Sequence, residues 1–371
     1  MRRANLDADC RRAVMITNPR AHIVVLNWTN WGDTLQCLES VLRSDYENYQ
    51  IVIADNAIDS EPTERLRAWL RGELEPPPVA KPFRHLMTAP RRLPSPVVEI
   101  DRATAERGGT EESRAARIVI IRNGENLGFA GGNNVAFRYL LAADADGLVC
   151  LLNNDTVVAA DWLSRLVRAL QRDDRIGAVG AMLWEYDNPE LVESAGGGRL
   201  RAWQGMPNPT SATRQQRGTP KVIPRRLDFL SGACMLMRIE TLRRVGFLDE
   251  RYFMYCEDVD FSLRIREEGL RIALAADAEM WHKNGASMRH RSPRHDYYLT
   301  RNSLLVVHKF YPHMLPAAFA FSIYRCVLPK VVRGEWARLR AVRGAYKDFF
   351  SFIGGRPSAL GAGMSVPGLA S

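Results

Sequence analysis

Residues 147–156, GLVCLLNNDT, decide the fold, because an apolar run stops there at two amides and a carboxylate. Five consecutive apolar residues bounded by Gly147 and Asn153 predict a strand that ends at the two amides. Asn and Asp are ordinary turn residues, so taken alone Asn153, Asn154 and Asp155 indicate a turn more often than a metal site. The rest of the chain must decide between the two.

Predicted strands and helices alternate on both sides of this run. Apolar, β-branched segments predict strands, and apolar residues at helical spacing predict helices between them. The main segments are HIVVLNW (22–28), TLQCLESVLRS (34–44), YQIVIADNA (49–57), RIVIIRN (117–123), NVAFRYLLAA (134–143) and IGAVGAML (176–183). This alternation predicts an α/β fold around a mostly parallel sheet flanked by helices. Ligands bind outside the carboxyl ends of such strands, where Asp55 and Asp155 are expected.

The alternation is interrupted between residues 72 and 116. This segment contains EPPP, APRRLPSP and ERGGTEESR, which are rich in Pro, Gly and charge. Such a composition predicts a flexible insertion without regular structure. Residues 1–20 are expected to be an N-terminal extension.

Composition limits the class of protein. The chain has 371 residues, 46% hydrophobic and 25% charged, which is typical of a soluble globular protein. Its basic start lacks the continuous apolar core of a secretory signal, and no run of about 18 apolar residues predicts a spanning helix. The six cysteines form no CxxC pair. Reduced thiols in the cytosol are therefore expected, without a disulfide frame or a zinc site.

The net charge of +9 lies at one end of the chain. Residues 283–371 contain 14 Lys and Arg against three Asp and Glu, so residues 1–282 carry about −2. A uniformly basic nucleic-acid binder would look different, and we expect no nucleic-acid partner. Apolar and basic residues alternate in the C-terminal segment, which predicts amphipathic helices at a membrane surface. The alternative is an appendage that packs on the domain or on a second copy.

A second polar cluster is predicted around CEDVDFSLR (256–264). Glu257 and Asp258 fall in the first turn of a predicted helix, where the helix dipole favours carboxylates, and only one of them is expected to face a given cleft. Asp260 and Arg264 are spaced as a solvent-side ion pair. His282 follows another predicted strand. Sparse carboxylates and one imidazole suit Mg²⁺ that also binds phosphate, with a separate carboxylate as general base.

The motifs, in their order and spacing, resemble the family 2 glycosyltransferases of the GT-A fold, in particular the bacterial rhamnosyltransferase-like branch. The resemblance spans about residues 21–300 and rests on VVLNW, IVIADNAIDS, NGENLGFAGGNNVAF, LLNNDTVV, the segment FLSGAC to DFSLR, and AEMWHKNGAS. It implies a catalytic domain over residues 21–300 and a basic helical segment over residues 301–371.

The resemblance also implies a role for individual residues. Asp55 would contact the nucleotide, and NLGFAGGNN would form a loop that approaches the nucleotide sugar. The residues implied in donor binding are Asn27, Asp55, Asn56, Gly128, Gly131, Gly132, Asn133 and Asn154. GFAGGNN is not a G-x-G-x-x-G motif, so a nicotinamide cofactor is not indicated.

Metal and catalytic residues follow from the same resemblance. NND would be the metal motif, with Asp155 as the firmest ligand, Asn153 where many relatives have Asp, and His282 as a later ligand. Asp258 would be the catalytic base, with Glu257 beside it. In 297–302, YYLTRN, a core helix with an outward-facing Arg301 is favoured over contact with the acceptor.

The implied activity is inverting transfer of a sugar from a nucleotide diphosphate donor, with Mg²⁺ or Mn²⁺ as cofactor. The donor is expected to be dTDP-rhamnose, with a UDP-hexose as the alternative. The acceptor would be a cell-surface glycan or a polyprenyl-linked glycan, at the cytoplasmic face of the plasma membrane. The remaining alternative is a module of the same fold that binds a sugar nucleotide or a glycan without catalysis.

Overall fold

The computed structural model describes residues 18–87, 96–209, 217, 226–283 and 292–354. Within these residues the chain forms one large sheet covered by helices on both faces, a small second sheet, and a helical C-terminal segment. The expected N-terminal extension, apart from residues 18–20, lies outside the described residues.

The strands of the two sheets follow in chain order. They are β1 (Ala21–Asn27), β2 (Tyr49–Asp55), β3 (Val97–Asp101), β4 (Ile118–Arg122), β5 (Leu148–Leu152), β6 (Thr156–Val158), β7 (Ile176–Glu185), β8 (Val192–Ala195), β9 (Gly197–Arg201), β10 (Met206–Pro209), β11 (Phe229–Leu230), β12 (Cys234–Arg238) and β13 (Arg271–His282).

The α-helices of the described residues lie between and after these strands. They are α1 (Trp31–Val41), α2 (Ser60–Leu70), α3 (Arg102–Glu106), α4 (Glu111–Ala115), α5 (Gly128–Ala142), α6 (Trp162–Gln171), α7 (Ile239–Val245), α8 (Glu257–Glu267), α9 (Pro293–Phe310), α10 (Leu315–Ser322), α11 (Leu328–Val332) and α12 (Trp336–Ile353).

The order of strands in the large sheet is β3-β4-β2-β1-β5-β12-β7-β13-β6, and β8 pairs with β7. Strands β3, β4, β2, β1 and β5 are parallel neighbours, and β7 and β13 pair in parallel beyond the antiparallel strand β12. The predicted mostly parallel sheet is confirmed. The carboxyl ends of β1, β2, β5 and β13 therefore lie along one edge, together with the start of β12.

Side chains that alternate along each strand fill two cores. In β1, Ile23 and Val25 belong to the core under α1, α2 and α6, whereas Val24 belongs to the core under α5, α7 and α8. Strand β2 divides its side chains in the same way. A sheet buried on both faces explains why these strands are almost continuously apolar.

The expectation of an irregular insertion between residues 72 and 116 is wrong for much of its described part. Residues 97–101 form β3, the edge strand that pairs with β4 in parallel register. Asp101 caps α3 by accepting from the Thr104 amide, and a capping box at Thr110 starts α4. Side-chain caps at the helix starts and pairing with one neighbouring strand are enough to give this segment regular structure. Residues 88–95 lie outside the described residues.

The C-terminal segment divides into a packed part and an exposed part. Helix α12 packs on α9 and buries Ala341, Val342, Ala345 and Phe349. Asp296 of α9 binds Lys330 and Arg338 in ion pairs that tie the segment to the domain. For α12 the structure therefore favours the alternative, an appendage packed on the domain.

The stretch Pro312–Val332 behaves differently, and it bears on the expectation that no spanning helix is present, which stays a prediction. By length and composition it is apolar enough to cross a membrane, with mean hydropathy 1.4, and only 22% of its most apolar window is buried. Arg325 and Lys330 interrupt the apolar run in sequence. Length and composition alone are weak evidence for a span.

Candidate active site

The carboxyl edge of the large sheet opens into a cavity of about 680 Å³. The polar wall is formed by the loops after β1, β2 and β5, the end of β13, the loop before β12, and the start of α8. The polar residues of that wall include Asn56, Asn153, Asn154, Asp155, Glu193, Glu257, Asp258 and His282. Residues that are far apart in sequence therefore meet in one site.

Asp155 and His282 are direct neighbours in this cavity. The His282 Nε2 atom lies 3.1 Å from Asp155 Oδ1, and its Nδ1 atom lies 3.0 Å from Glu193 Oε1. Strands β6 and β13 bring them together, because Thr156 pairs with His282. Burial alone would lower the pKa of His282, but the two carboxylates outweigh it and raise that pKa to about 10. The imidazole is therefore held as its cation at neutral pH, and a divalent ion that binds Nε2 would displace that proton.

Glu193 is a site residue that the sequence analysis missed. It lies on the short strand β8, outside every motif that the resemblance uses. Its contact with His282 Nδ1 fixes which ring nitrogen faces Asp155, an arrangement that metal-binding histidines generally have. No local signal in the sequence identifies it, since only the pairing of β8 with β7 brings it near His282.

The donor atoms at this edge fit a hard divalent cation. Asn153 Oδ1 is buried and accepts no hydrogen bond from the described residues. The described residues contain no group of three or more His, Cys, Asp or Glu side chains arranged around a metal position. Mg²⁺ needs no such group, since it takes one or two protein ligands and completes its shell with phosphate and water.

Glu257 and Asp258 both line the cavity, which corrects the expectation that only one could face it. They open α8 after Cys256, which has φ 71°. The amides of Gly232 and Val259 donate to the two carboxylate oxygens of Asp258, at 2.9 and 2.8 Å. The Asp258 carboxylate is therefore held in one orientation by the loop before β12 and by its own helix.

The environments of these two carboxyl groups differ. Burial and the neighbouring Asp258 charge raise the pKa of Glu257 well above its usual value, and its Oε2 has no hydrogen-bond partner in the described structure. Burial also raises the pKa of Asp258, but its backbone donors oppose that rise. The backbone donors favour the charged form of Asp258, and Glu257 Oε2 has no such donor.

The loop before α8 has a strained backbone. Phe253, Tyr255 and Cys256 have φ of 61°, 65° and 71°, which side chains other than glycine rarely adopt. Such strain persists only where the surroundings impose it, and it is common at functional sites. Helix α9 imposes it here, since Asn302 Nδ2 donates to three backbone carbonyls, those of Tyr252, Met254 and Tyr255.

Two expectations about charged residues near this loop are wrong. Arg301 does not face outward: its guanidinium is buried and donates to the carbonyls of Arg251 and Tyr252. Asp260 is also fully buried, and Arg264 and Lys309 both bind it. The spacing of Asp260 and Arg264 predicted their ion pair but not the side of the helix that the protein covers.

Asp55 lies in a buried network behind the cavity wall. It accepts from Asn27 Nδ2 at 2.9 Å and from Thr63 Oγ1 at 2.6 Å, and Arg122 is 3.3 Å away. Asn27 accepts from Thr34, which in turn accepts from Asn154. Asp55 and Asn27 are not among the cavity-lining residues, so nucleotide contact by either of them stays a prediction.

The glycine-rich motif is not a loop, which corrects the expected donor loop. Residues 128–134 form the first turns of α5, and the Phe253 carbonyl accepts from the amides of Phe129 and Ala130. Gly128 lines the cavity with φ 71°, and a Cβ there would lie 2.6 Å from Phe253. Gly132 lets α5 pack closely, because a Cβ there would lie 2.5 Å from Leu26.

The other predicted donor residues divide between wall and interior. Asn56 lines the cavity, and its amide joins Gly128 and Asn123 through hydrogen bonds of 2.9 and 2.7 Å. Asn154 also lines it. Gly131 and Asn133 do not, and Asn133 is buried with its amide on the Phe129 carbonyl. Their proposed contact with the donor stays a prediction.

The wall opposite the strand ends is more apolar. Phe229, Met206 and Pro207 of the small sheet form part of it, with Phe253 and Leu299. Phe229 shares its core with Phe319 and other residues of α9 and α10. Arg294 and Arg325 add positive charge to this wall.

Comparisons with known proteins identify glycosyltransferase relatives. The chain is 32% identical over 198 residues to the N-acetylglucosaminyl-diphospho-decaprenol L-rhamnosyltransferase of Mycobacterium tuberculosis, which covers 48% of this chain and 64% of that protein. The O-antigen biosynthesis protein RfbC of Myxococcus xanthus is 31% identical over 180 residues, 45% of this chain and 13% of that protein. The chain thus spans less than two thirds of these relatives.

The fold has relatives of known structure. The crystal structure of GalNAc-T7 with UDP, GalNAc and Mn²⁺ matches with a TM-score of 0.53 at 14% identity, covering 92% of this chain and 58% of that chain. At this identity the likeness concerns the fold alone, and the fold is the expected GT-A fold. The family model described as "Glycosyltransferase like family 2" matches residues 98–295, which is more than half of the chain, and the protein therefore belongs to this family.

Proposed function

We propose that the protein is an inverting, divalent-metal-dependent glycosyltransferase that moves a sugar from a nucleotide diphosphate to an acceptor hydroxyl. One observation carries this proposal: a single cavity contains the Asp155–His282 pair and the fixed carboxylate of Asp258. A donor-activating group and a base in one cavity are what this reaction requires.

Asp155, His282 and Asn153 would hold Mg²⁺ or Mn²⁺ together with the donor diphosphate. The bound ion would offset negative charge on the departing nucleotide diphosphate. Glu193 would orient His282 through Nδ1, 3.0 Å away, so that Nε2 faces the ion position. Asn56 and Asn154 line the same side of the cavity and would lie beside the donor.

Asp258 would accept the proton of the acceptor hydroxyl. Its two backbone donors fix the carboxylate and favour its charged form, and Glu257 Oε2 has no such donor among the described residues. The hydroxyl oxygen attacks the anomeric carbon opposite the leaving diphosphate, which inverts the configuration. Asn302, Arg301 and the strained loop would keep Asp258 at its place in the cavity.

The donor and acceptor are inferred from the relatives. The M. tuberculosis relative is named as an L-rhamnosyltransferase that acts on N-acetylglucosaminyl-diphospho-decaprenol. We infer dTDP-rhamnose as the donor and a diphospho-polyprenyl glycan as the acceptor, in the synthesis of a cell-surface polysaccharide. A UDP-hexose is the alternative donor, since a Haloferax volcanii relative at 23% identity is named as a hexosyltransferase.

A membrane surface would present such an acceptor. The exposed residues of the C-terminal segment include the aromatic side chains of Tyr324 and Trp336, and Trp203 packs beside Phe321. Aromatic rings at the water boundary, apolar helix and basic charge together favour an anionic bilayer. We therefore infer a place at the cytoplasmic face of the plasma membrane. Co-flotation with phosphatidylglycerol vesicles should be seen, and a protein that stays with the soluble fraction at low salt would contradict it.

The activity is tested by incubating the protein with Mn²⁺, an N-acetylglucosaminyl-diphospho-lipid and either dTDP-rhamnose or UDP-hexoses. We expect one glycosylated lipid product, formed from dTDP-rhamnose and abolished by EDTA. Product from a UDP-hexose alone would support the alternative donor. Donor binding without product or hydrolysis, in every combination, would instead indicate the non-catalytic module.

A further inference from the structure

Two arginines line the catalytic cavity on the side away from the strand ends. Arg294 lies in the first turn of α9, and Arg325 lies in the apolar stretch Pro312–Val332. Within the described residues, neither guanidinium forms an ion pair with a carboxylate. Many other arginines of these residues, such as Arg264 and Arg338, are bound by Asp or Glu.

We propose that Arg294 and Arg325 form an anion subsite for the diphosphate of a lipid-linked acceptor, separate from the donor diphosphate at Asp155 and His282. This rests on the proposed function, since the acceptor sugar must reach Asp258. It adds the two residues that would bind the diphosphate of the acceptor already inferred.

The chemistry of the two side chains suits this ligand. A guanidinium offers paired donors that match phosphate oxygens, and it stays charged at every physiological pH. Two guanidinium groups complement the charge of one diphosphate. Arg294 is half-buried and Arg325 is exposed at the cavity rim, and both would be within reach of an anionic ligand that enters the cavity.

The arrangement along the chain sets the direction of the acceptor. Next to Arg325, Ile323 and Tyr324 are exposed, and Leu328 is exposed one turn further. An apolar chain that leaves the diphosphate at Arg325 would therefore continue along exposed apolar surface. Its sugar would point inward, toward Asp258, which lines the same cavity.

The wall that holds the arginines is built separately from the donor side. Arg294 comes from α9, whose core, with Phe229 and Phe319, contains none of the strand-end residues, and Arg325 comes from the stretch that follows α10. Asp155 and His282 come from the edge of the large sheet. A change at either arginine should leave the ligands of the ion unmoved.

Binding of geranyl diphosphate, a soluble lipid diphosphate, tests the subsite without turnover. Its affinity is measured by calorimetry with saturating dTDP and Mn²⁺, so that the donor site is filled. We expect Arg294→Gln and Arg325→Gln each to weaken binding about 10-fold or more, as the loss of a charge-assisted contact does. Geraniol should bind weakly and equally to all variants.

Arg333→Gln is the matched control, since Arg333 is exposed on the same C-terminal segment and does not line the cavity. It should leave the affinity for geranyl diphosphate unchanged. An equal loss in Arg333→Gln would overturn the proposal, because it would indicate general charge attraction. Unchanged affinity in both Arg294→Gln and Arg325→Gln would overturn it as well.

Two further measurements separate other sources of phosphate. A similar loss of dTDP affinity in both variants would assign the arginines to the donor diphosphate and overturn the subsite. If Arg325→Gln weakened only the binding of phosphatidylglycerol vesicles, the arginine would bind bilayer headgroups, which also overturns it. Full dTDP affinity together with lost geranyl diphosphate binding supports it.

Transfer assays distinguish this inference from the proposed function. With acceptors that carry the same sugar and alkyl chain on a diphosphate or on a neutral ether, the two variants should lose kcat/KM only for the diphosphate. If the two variants transferred sugar to both acceptors as wild type does, the subsite would be overturned and the proposed function would remain. If lipid diphosphate binding depended on the arginines but no acceptor were glycosylated, the proposed function would be overturned and the subsite would remain.

Discussion

Two groups of buried polar side chains lie at the same edge of the sheet, and they differ in how completely the protein satisfies them. Around Asp55, each carboxylate oxygen has partners within the chain, from Asn27, Ala57, Thr63 and Arg122. Around Asp258, by contrast, Asn153 Oδ1 and Glu257 Oε2 are buried without a hydrogen-bond partner among the described residues.

This difference distinguishes the polar side chains that stabilise the fold from those that are expected to bind a ligand. A buried polar atom without a partner is costly, so a fold keeps it where a ligand supplies the missing contact. The carboxylate of Asp55 needs no ligand, although Arg122 Nε and Asn123 Oδ1 beside it have no hydrogen-bond partner among the described residues. Its contacts join the ends of β1 and β2 to α2. The group around Asp258 remains incomplete, and the chemistry is therefore expected there.

The largest effect is expected at the base. Asp258→Asn keeps the size of the side chain but removes the proton acceptor, and general-base catalysis contributes about 10²–10⁴-fold. We expect kcat to fall by that factor, with unchanged KM for the nucleotide sugar and unchanged Tm. Steady-state kinetics with calorimetry measures all three, and a fall below 3-fold would remove Asp258 from the mechanism.

A substitution of Asp55 is expected to lower the stability of the fold. Asp55→Ala leaves Arg122 and three other donors without their acceptor, which costs about 3 kcal/mol of unfolding free energy. Urea unfolding measures this loss, with the exposed Asp174→Ala as control. If the variant were as stable as the control but lost donor affinity 10-fold, Asp55 would be a nucleotide contact, as the resemblance implied.

A change at Asn302, which holds the strained loop before α8, is expected to affect both stability and kcat. Asn302→Leu preserves volume but leaves the carbonyls of Tyr252, Met254 and Tyr255 without their shared donor, which costs about 2 kcal/mol. Since the strained loop positions Asp258, kcat should fall while Mn²⁺ affinity stays unchanged. A variant with wild-type kcat would show that α9 stabilises the loop without positioning the base.

The smallest effect is a gain in stability that depends on pH. Burial raises the pKa of Glu257 in the folded protein, so this carboxyl stabilises the fold fully below pH about 4.5 and loses that contribution as pH rises. Glu257→Gln removes the titration. The variant should gain about 1 kcal/mol near neutral pH and nothing at pH 4. If the difference in unfolding free energy between Glu257→Gln and wild type were the same near neutral pH and at pH 4, the burial of a charge at this position would be contradicted.

The sequence predicted the parts of this account that depend on local pattern. Apolar runs such as IVIADNA and LVCLLNND gave their strands, and the resemblance led to Asp155, Asp258 and His282 in one cavity. Strand β3 was not predicted because it is an edge strand with an exposed side, and it lies between Pro-rich and charged stretches. Edge strands need less apolar sequence than central ones.

Other features depend on tertiary contacts that no local pattern records. Glu193 becomes a site residue only through the pairing of β8 with β7. Asp260 and Arg301 carry charge in sequence, but α9 and its neighbours cover them. The apolar length of Pro312–Val332 was missed because Arg325 and Lys330 interrupt it, and Lys330 is bound by Asp296.

The most direct test of this account asks whether Asp155 and His282, beside the incompletely bonded group around Asp258, hold the ion. Mn²⁺ is titrated in the presence of dTDP, and its binding is followed by electron paramagnetic resonance. Asp155→Asn and His282→Gln should each weaken Mn²⁺ binding about 10-fold or more, whereas Asp258→Asn should bind as wild type does. If Asp155→Asn and His282→Gln bound Mn²⁺ as tightly as wild type, the strand-end pair would not hold the ion, and the account of the site would be wrong.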